Sequence, residues 1–537
     1  MTVLPKELKR ARGRQQRPRG KRPPALLALP AALVAAAMVL PLLYLVLRAS
    51  EAGWAEISEV VFDVSSLEVL ARSVLLAVVV TAAAVGIAVP LAWLTVRTDL
   101  PGRHVWAVLA ALPLVVPSYV GGFVLVSTLG PRGLLQDALA PLGVERLPSV
   151  YGLPGAALAL ALFTYPYVFL TARAALNGMD ASYEEAARSL GSGRWTTFFR
   201  ITLPQLRPAV VAGALLVALY ALSDFGAVSL LHYDTFSAEI YLQYKSAFDR
   251  TPAAILALML VVLVAAVLAV EHRTRGRANY GGSGSATARP VPLGRWRLPA
   301  LLFCGGVVSL ALVLPVGVLV YWLVRGLAGG EVLDPVWESA WNSIFVSGIA
   351  AGVAVLAALP VAVLAVRFPG RVLGFVERLS YVGFALPAIA LALALVFFGS
   401  NYAPALYQTL GLLVFAYVVH FLPQALGAIR AALLQARPSV EEAARSLGRG
   451  PLGVLATITV PLARSGIVAG AALVFLTTMK ELPATLLLGP IEFDTLATEV
   501  WNATSGAFFA RAAAPALLLI LISAPPLYLL TIRDRVK

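Results

Sequence analysis

Residues 25–47 run for 23 positions without a charged side chain. Coiled as a helix at ~1.5 Å per residue, such a run reaches ~35 Å, enough to cross the ~30 Å hydrocarbon core of a bilayer. Eleven comparable stretches follow, near 70–96, 105–127, 152–172, 209–231 and 252–270, and then 298–324, 341–366, 379–399, 409–429, 466–489 and 512–532. A chain of 537 residues that is 59% hydrophobic and 13% charged is too apolar for a water-soluble domain. Hydrocarbon offers no hydrogen-bond partners, so each spanning backbone must satisfy itself, and these runs predict helices. The expectation is an all-α integral membrane protein with about 12 transmembrane helices.

Charge placement tests that count, because basic residues collect on the cytoplasmic side of inserted helices. With the amino terminus inside, 33 of the 42 Lys and Arg fall in cytoplasmic segments, and twelve spans return the carboxyl terminus to the same side. The same pattern explains the net charge of +14 without nucleic acid. The basic tail, from Lys6 to Arg22, lies beside a span and is expected to set topology and attract anionic lipid. Residues 25–47 exceed the apolar region of a cleaved signal peptide. A single cysteine, Cys304, excludes an intrachain disulfide.

The octapeptide EEAARSLG occurs at 184–191 and again at 441–448, an offset of 257. The offset also relates Pro166 to Pro423, Arg173 to Arg430, Pro204 to Pro461 and Gly213 to Gly470. Upstream, an offset of 270 relates Ser73 to Ser343, Pro90 to Pro360 and Val96-Arg97 to Val366-Arg367. The chain therefore reads as two tandem six-helix repeats, 25–270 and 298–537, in one orientation and related by a pseudo-two-fold axis along the membrane normal. A basic cytoplasmic tail occupies 1–24 and a cytoplasmic linker 271–297. Within the linker, 276–290 is rich in Gly, Ser and Ala and predicts a flexible coil.

Each octapeptide falls in a cytoplasmic loop of more than thirty residues between the fourth and fifth spans of its half. Glu, Ala, Arg and Leu favour a short helix, with Ser182 and Ser439 at its N-cap and Gly191 and Gly448 where it ends. Such a helix either rests on the membrane surface or offers one of two equivalent docking sites to a two-fold partner. Glu185-Ala186-Ala187, Gly191 and Ile201-Thr202-Leu203-Pro204 resemble the EAA loop of importer-type ABC permeases. Glu442-Ala443-Ala444, Gly448 and Ile458-Thr459-Val460-Pro461 repeat the pattern.

The resemblance implies a bacterial inner-membrane permease without a cofactor of its own. Its coupling helices would fit two copies of a separate ATPase subunit, and an extracytoplasmic binding protein would deliver cargo. The passages at 223–241 and 480–501, including KELPATLLL, resemble ferric iron permeases with both halves on one chain. Iron(III) is the expected cargo, with thiamine, phosphonate or polyamine as alternatives.

The chain holds no ATPase site of its own: its only Gly-Lys pair, Gly20-Lys21, lacks the spacing of a phosphate-binding loop. Zinc-protease, nucleophile-elbow and Cys-rich metal motifs are likewise missing from the sequence. A self-contained secondary transporter is the competing class, but such carriers use several intramembrane ionisable groups. Besides His420, expected as a packing residue, and Arg72 at the edge of the second, the predicted spans hold three: Asp224, Lys480 and Glu481. The 257 offset superimposes Asp224 on Glu481. Either the two carboxylates face each other across the translocation path, tempered by Lys480, or Lys480 locks the halves together through an ion pair with Asp224.

Overall fold

The computed structural model describes residues 24–131, 133–144, 146–180, 182–246, 250–274, 290–331, 334–368 and 370–532. The charged part of the basic tail and positions 276–289 of the linker lie outside these. Among the described residues the regular elements are helices, with one isolated bridge between Thr98 and Val291.

Among the described residues ten helices are long and apolar enough to cross a membrane, and two bent helix pairs, each counted as one span, make twelve. Those pairs correct the expectation of straight third spans at 105–127 and 379–399. Arg103–Val115 meets Ser118–Leu142 at 94°, and Arg371–Ala385 meets Ala388–Tyr402 at 102°. The cause is a proline at the same place in each half. Pro117 and Pro387 force the preceding residues, Val116 and Leu386, into extended backbone with ψ of 119° and 114°.

The fifth spans also differ from the expected continuous runs at 209–231 and 466–489. Helix Leu203–Ser223 ends at Asp224, and a separate short helix, Gly226–Leu230, follows. Helix Val460–Met479 ends at Lys480, followed by Pro483–Leu488. Both fifth spans begin with a π-helical turn, Phe198–Thr202 and Leu455–Thr459. Pro204 and Pro461 lie just beyond these turns, and the missing proline N–H frees a carbonyl that a wider turn accommodates.

In each half the second span packs against the fourth and fifth: Val64–Arg97 against Leu153–Gly178 and Leu203–Ser223, and Asp334–Arg367 against Leu410–Gln435 and Val460–Met479. Two repeated glycines permit this approach. A Cβ on Gly213 would lie 2.6 Å from Val168 Cα, and one on Gly470 would lie 3.0 Å from Ala425 Cα. Ser73 and Ser343 have equivalent tasks, accepting from Phe236 N at 3.1 Å and Leu496 N at 2.8 Å. Each bond ties the second span to the helix that precedes the sixth.

The halves are interlocked. The first span of the chain, Ala25–Glu51, packs on the second half, against Asp334–Arg367 and Ala388–Tyr402. Tyr44 Oη donates to Phe397 O at 3.3 Å and accepts from Asn401 Nδ2 at 3.2 Å. Reciprocally, Leu314–Ala328 of the second half packs on Ser118–Leu129 of the first. One apolar core runs through both halves, from Ala31 to Leu519.

Candidate coupling loops and the breaks between the halves

The octapeptides form the helices Ser182–Ser189 and Pro438–Ser446. Their starts differ from the expected serine caps. Ser182 N donates to Asp180 Oδ1 at 2.9 Å, a bond that lowers the Asp180 pKa, while Ser439 lies inside a first turn opened by Pro438. Their ends agree with expectation: Gly191 and Gly448 have φ of +83° and +82°. Ser192 N and Arg449 N then reach back to Ala187 O and Ala444 O at 3.0 and 3.2 Å, closing left-handed caps.

The helix faces divide by burial. Ala187, Ala444 and the first glutamate of each octapeptide, Glu184 and Glu441, are buried at 4% and 2% exposure for the glutamates. Glu185, Ala186, Glu442 and Ala443 are exposed. So are Leu190 and Leu447, at 87% and 85%. Large apolar side chains thus stand free at matched positions at the ends of the two helices.

Glu184 and Glu441 anchor the loops, a role that reading the EAA triplet alone misses. Glu184 Oε1 accepts from Thr202 Oγ1 at 2.9 Å and lies 3.6 Å from Arg97 Nε. Glu441 Oε1 accepts from Thr459 Oγ1 at 3.2 Å and Arg367 Nε at 3.0 Å. The arginines also donate to the backbone where the fourth span ends, Arg97 to Met179 O at 3.3 Å and Arg367 to Ala436 O at 3.4 Å. Each octapeptide helix is thereby joined to the second, fourth and fifth spans at one buried carboxylate. A signal was available in the repeat: Arg97 and Arg367 recur at one offset at a membrane border, and each octapeptide carries two glutamates able to pair with them.

The first loop has an additional support. Val291 N donates to Arg97 O at 2.8 Å and its carbonyl accepts from Asp99 N at 3.2 Å. Leu293 N donates to Asp99 Oδ1 at 2.8 Å, and Arg297 lies 3.4 Å from Asp99 Oδ2. Trp296 meets Trp195 edge-on at 6.3 Å, and Trp195 stacks on Trp93 at 6.3 Å. The end of the linker is thus fastened to the first half beside its octapeptide helix. The offset puts Leu452 in place of Trp195, so the second loop lacks this clasp.

Asp224 and Glu481 occupy the breaks after the fifth-span helices, not the helix interiors. Asp224 Oδ1 accepts from Ala227 N at 3.0 Å and Val228 N at 3.4 Å. Glu481 accepts from Ala484 N at 2.9 Å and Thr485 N at 3.1 Å. Each buried carboxylate caps the short helix that follows it in its own half, which is why an acid is tolerated there. The ion pair between Lys480 and Asp224 is not formed. Lys480 Nζ instead donates across the halves to Leu114 O at 2.8 Å, at the break of the first bent pair. His420 packs edge-on against Phe421 at 4.6 Å. No group of three or more His, Cys, Asp or Glu able to hold a metal occurs among the described residues.

Duplicated spans with paired octapeptide loops define a membrane permease made of two fused halves. The model for the family described as binding-protein-dependent transport system inner membrane component matches residues 25–273 and 351–535. The Fe(3+)-transport system permease protein FbpB 2 of Haemophilus influenzae is 35% identical over 517 residues, covering 95% of this chain and 98% of that protein. The putative ferric transport system permease protein FbpB 1 of the same organism is 25% identical over 74% of this chain and 66% of its own length. The molybdenum transport system permease protein ModB of Escherichia coli is 37% identical over 29% of this chain and 69% of its own. The chain belongs to the family of binding-protein-dependent transport system inner membrane components. It is the multi-pass, non-enzymatic component of a system that also comprises an ATPase and a substrate-binding protein.

Proposed function

We propose that the chain forms the translocation path of an ATP-driven importer for iron(III) in a bacterial inner membrane. The observation that carries the cargo is the near end-to-end likeness to a Fe(3+)-transport permease, against a likeness to the molybdenum permease confined to 29% of the chain. Both termini lie in the cytoplasm, and the basic tail meets anionic lipid. Two copies of an ATPase subunit dock on the coupling helices through Glu185, Ala186, Leu190 and their counterparts Glu442, Ala443 and Leu447. Ala187, Ala444, Gly191 and Gly448 shape these helices. Closure of the ATPase pair moves the helices, and the buried joints at Glu184 and Glu441 pass that movement to the spans. Asp224, Glu481 and Lys480 stand at the closed waist of the path.

Reconstitution with the ATPase and binding protein tests the reading. Proteoliposomes are expected to accumulate labelled ferric iron when ATP is present on the cytoplasmic face, with a protonophore making no difference. Accumulation of molybdate, thiamine or a polyamine in its place would replace the cargo assignment.

A further inference from the structure

A cavity of about 470 Å³ lies between the halves, at the ends of the spans farthest from the octapeptide loops. That size is within the ~300–1,000 Å³ of small-molecule sites. The first half supplies Tyr151, Ser229, His232 and Asp234 to its wall, and the second half supplies Trp501 and Phe509. Phe509 stacks on Phe123 at 5.4 Å, closing one side across the halves. The floor is aromatic, since Phe225 meets Tyr241 at 4.7 Å and Trp501 at 4.9 Å. Phe225 follows Asp224 in the chain, so the cavity stands over the break in the first half's fifth span.

The polar groups of this wall have features that packing does not explain. Ser229 Oγ is buried without a hydrogen-bond partner, which costs stability unless something bound satisfies it. His232 holds a φ of +53°, where glycine is the easier residue. Strained backbone of this kind is retained where it places a working side chain. Here it sets the imidazole edge-on to the Tyr151 ring, with 5.0 Å between centroids. The 257 offset puts Gly489 and Gln408 at the counterparts of His232 and Tyr151, so the pair belongs to the first half alone. Asp234 Oδ2 is fixed by Arg72 Nη1 at 2.7 Å, and Arg72 also pairs with Glu68. Two carboxylates around one guanidinium leave a net negative charge at the rim. His232 and Asp234 are exposed, so the cavity opens outward.

We propose that Tyr151, His232 and Asp234 form a receiving site, where a hard trivalent cation is held at the mouth of the path before the waist opens. The proposal rests on the iron(III) reading and adds a site that precedes Asp224. Hard cations select oxygen ligands, and imidazole also suits iron. Tyr151 gives its phenol proton to solvent and supplies a phenolate oxygen, Asp234 supplies a carboxylate oxygen and His232 a ring nitrogen. Ser229 Oγ meets water that the ion retains. With a phenol as the third ligand, the site holds only two of the His, Cys, Asp and Glu groups by which metal clusters are ordinarily marked.

The permease–ATPase complex, purified without its binding protein and titrated with ferric nitrilotriacetate, is expected to develop the visible phenolate-to-iron charge-transfer band. Tyr151→Phe keeps the ring against His232 and should abolish the band, while Tyr402→Phe, which removes an exposed phenol of the second half, should leave it. His232→Gly should weaken ferric binding about tenfold, the scale on which one group of a metal's surroundings acts. Glycine also relaxes the left-handed backbone, so the melting temperature of that variant should stay level or rise. Ferric uptake into proteoliposomes holding the whole complex should fall several-fold in Tyr151→Phe and His232→Gly. A wild-type complex that imports iron yet shows no band would overturn the proposal and leave the cargo reading standing. An unchanged band in Tyr151→Phe, unchanged uptake in both variants, or a loss of binding that merely follows a fall in melting temperature would also overturn it. Absence of ferric uptake in the wild type would defeat the cargo reading, and the receiving site with it.

Discussion

Arg367 donates from Nε to Glu441 Oε1 at 3.0 Å, with both side chains nearly sealed from solvent. The pair links the end of the second span to the octapeptide helix of the second half. Arg97 and Glu184 repeat it in the first half, with 3.6 Å between Nε and Oε1. A buried ion pair adds little net stability, but removing one partner strands a charge, at a cost of about 3–5 kcal/mol. Glu441→Ala should therefore lower the melting temperature of the purified complex and expose its loop to protease. Adding Arg367→Met should recover part of the loss. An unchanged melting temperature in the single variant would mean that the loop is not fastened at this carboxylate.

Leu190 and Leu447 bear on docking rather than folding. Both are almost fully exposed, so Leu190→Asp and Leu447→Asp should shift the stability of the isolated permease by no more than about 0.5 kcal/mol. Co-purification of the ATPase should nevertheless weaken in each variant and vanish in the double variant. Retention of the ATPase at wild-type yield by the double variant would remove these leucines from the interface.

Much of this architecture was legible in the sequence because it rests on local rules repeated at a fixed offset. Span length, the left-handed glycines at 191 and 448 and the duplicated halves each follow from a few adjacent residues. The bends at Pro117 and Pro387 were hidden inside apolar runs, since hydrophobicity reports burial in hydrocarbon and is blind to direction. Asp224 and Glu481 were visible as matched carboxylates. Their capping role was not, because it depends on the fifth span stopping where the acid stands. The interlocked first spans and the Trp195–Trp296 clasp arise from long-range packing, which no local pattern encodes.

The clasp makes a prediction for severed chains. Residues 1–282 and 283–537, co-expressed, should assemble and transport, because Val291, Leu293 and Trp296 hold the second half on the first without a continuous backbone. Asp99→Asn with Trp296→Ala should be tolerated in the intact chain and should lower the yield of assembled fragments in the severed one, where the shared apolar core is left to hold the halves. Equal behaviour of the two backgrounds, judged by co-purification of the fragments, would show that the clasp holds nothing.

The paired carboxylates allow capping and charge to be separated. Asp224→Asn and Glu481→Gln keep an oxygen for the N–H groups that follow, and the complex should assemble normally while ferric uptake falls. Alanine at either position loses the cap too and should cost about 1 kcal/mol more stability. Full uptake by the amide variants would confine both acids to capping.

The central claim is that the joints at Glu184 and Glu441 convert ATPase closure into movement of the spans. Its most direct measurement is the number of ferric ions imported per ATP hydrolysed, taken on the same proteoliposomes for the wild type and for Glu184→Gln with Glu441→Gln. The double variant is predicted to hydrolyse ATP with its ATPase still bound while importing several-fold less iron per ATP. An unchanged ratio, with the complex intact, would contradict the account.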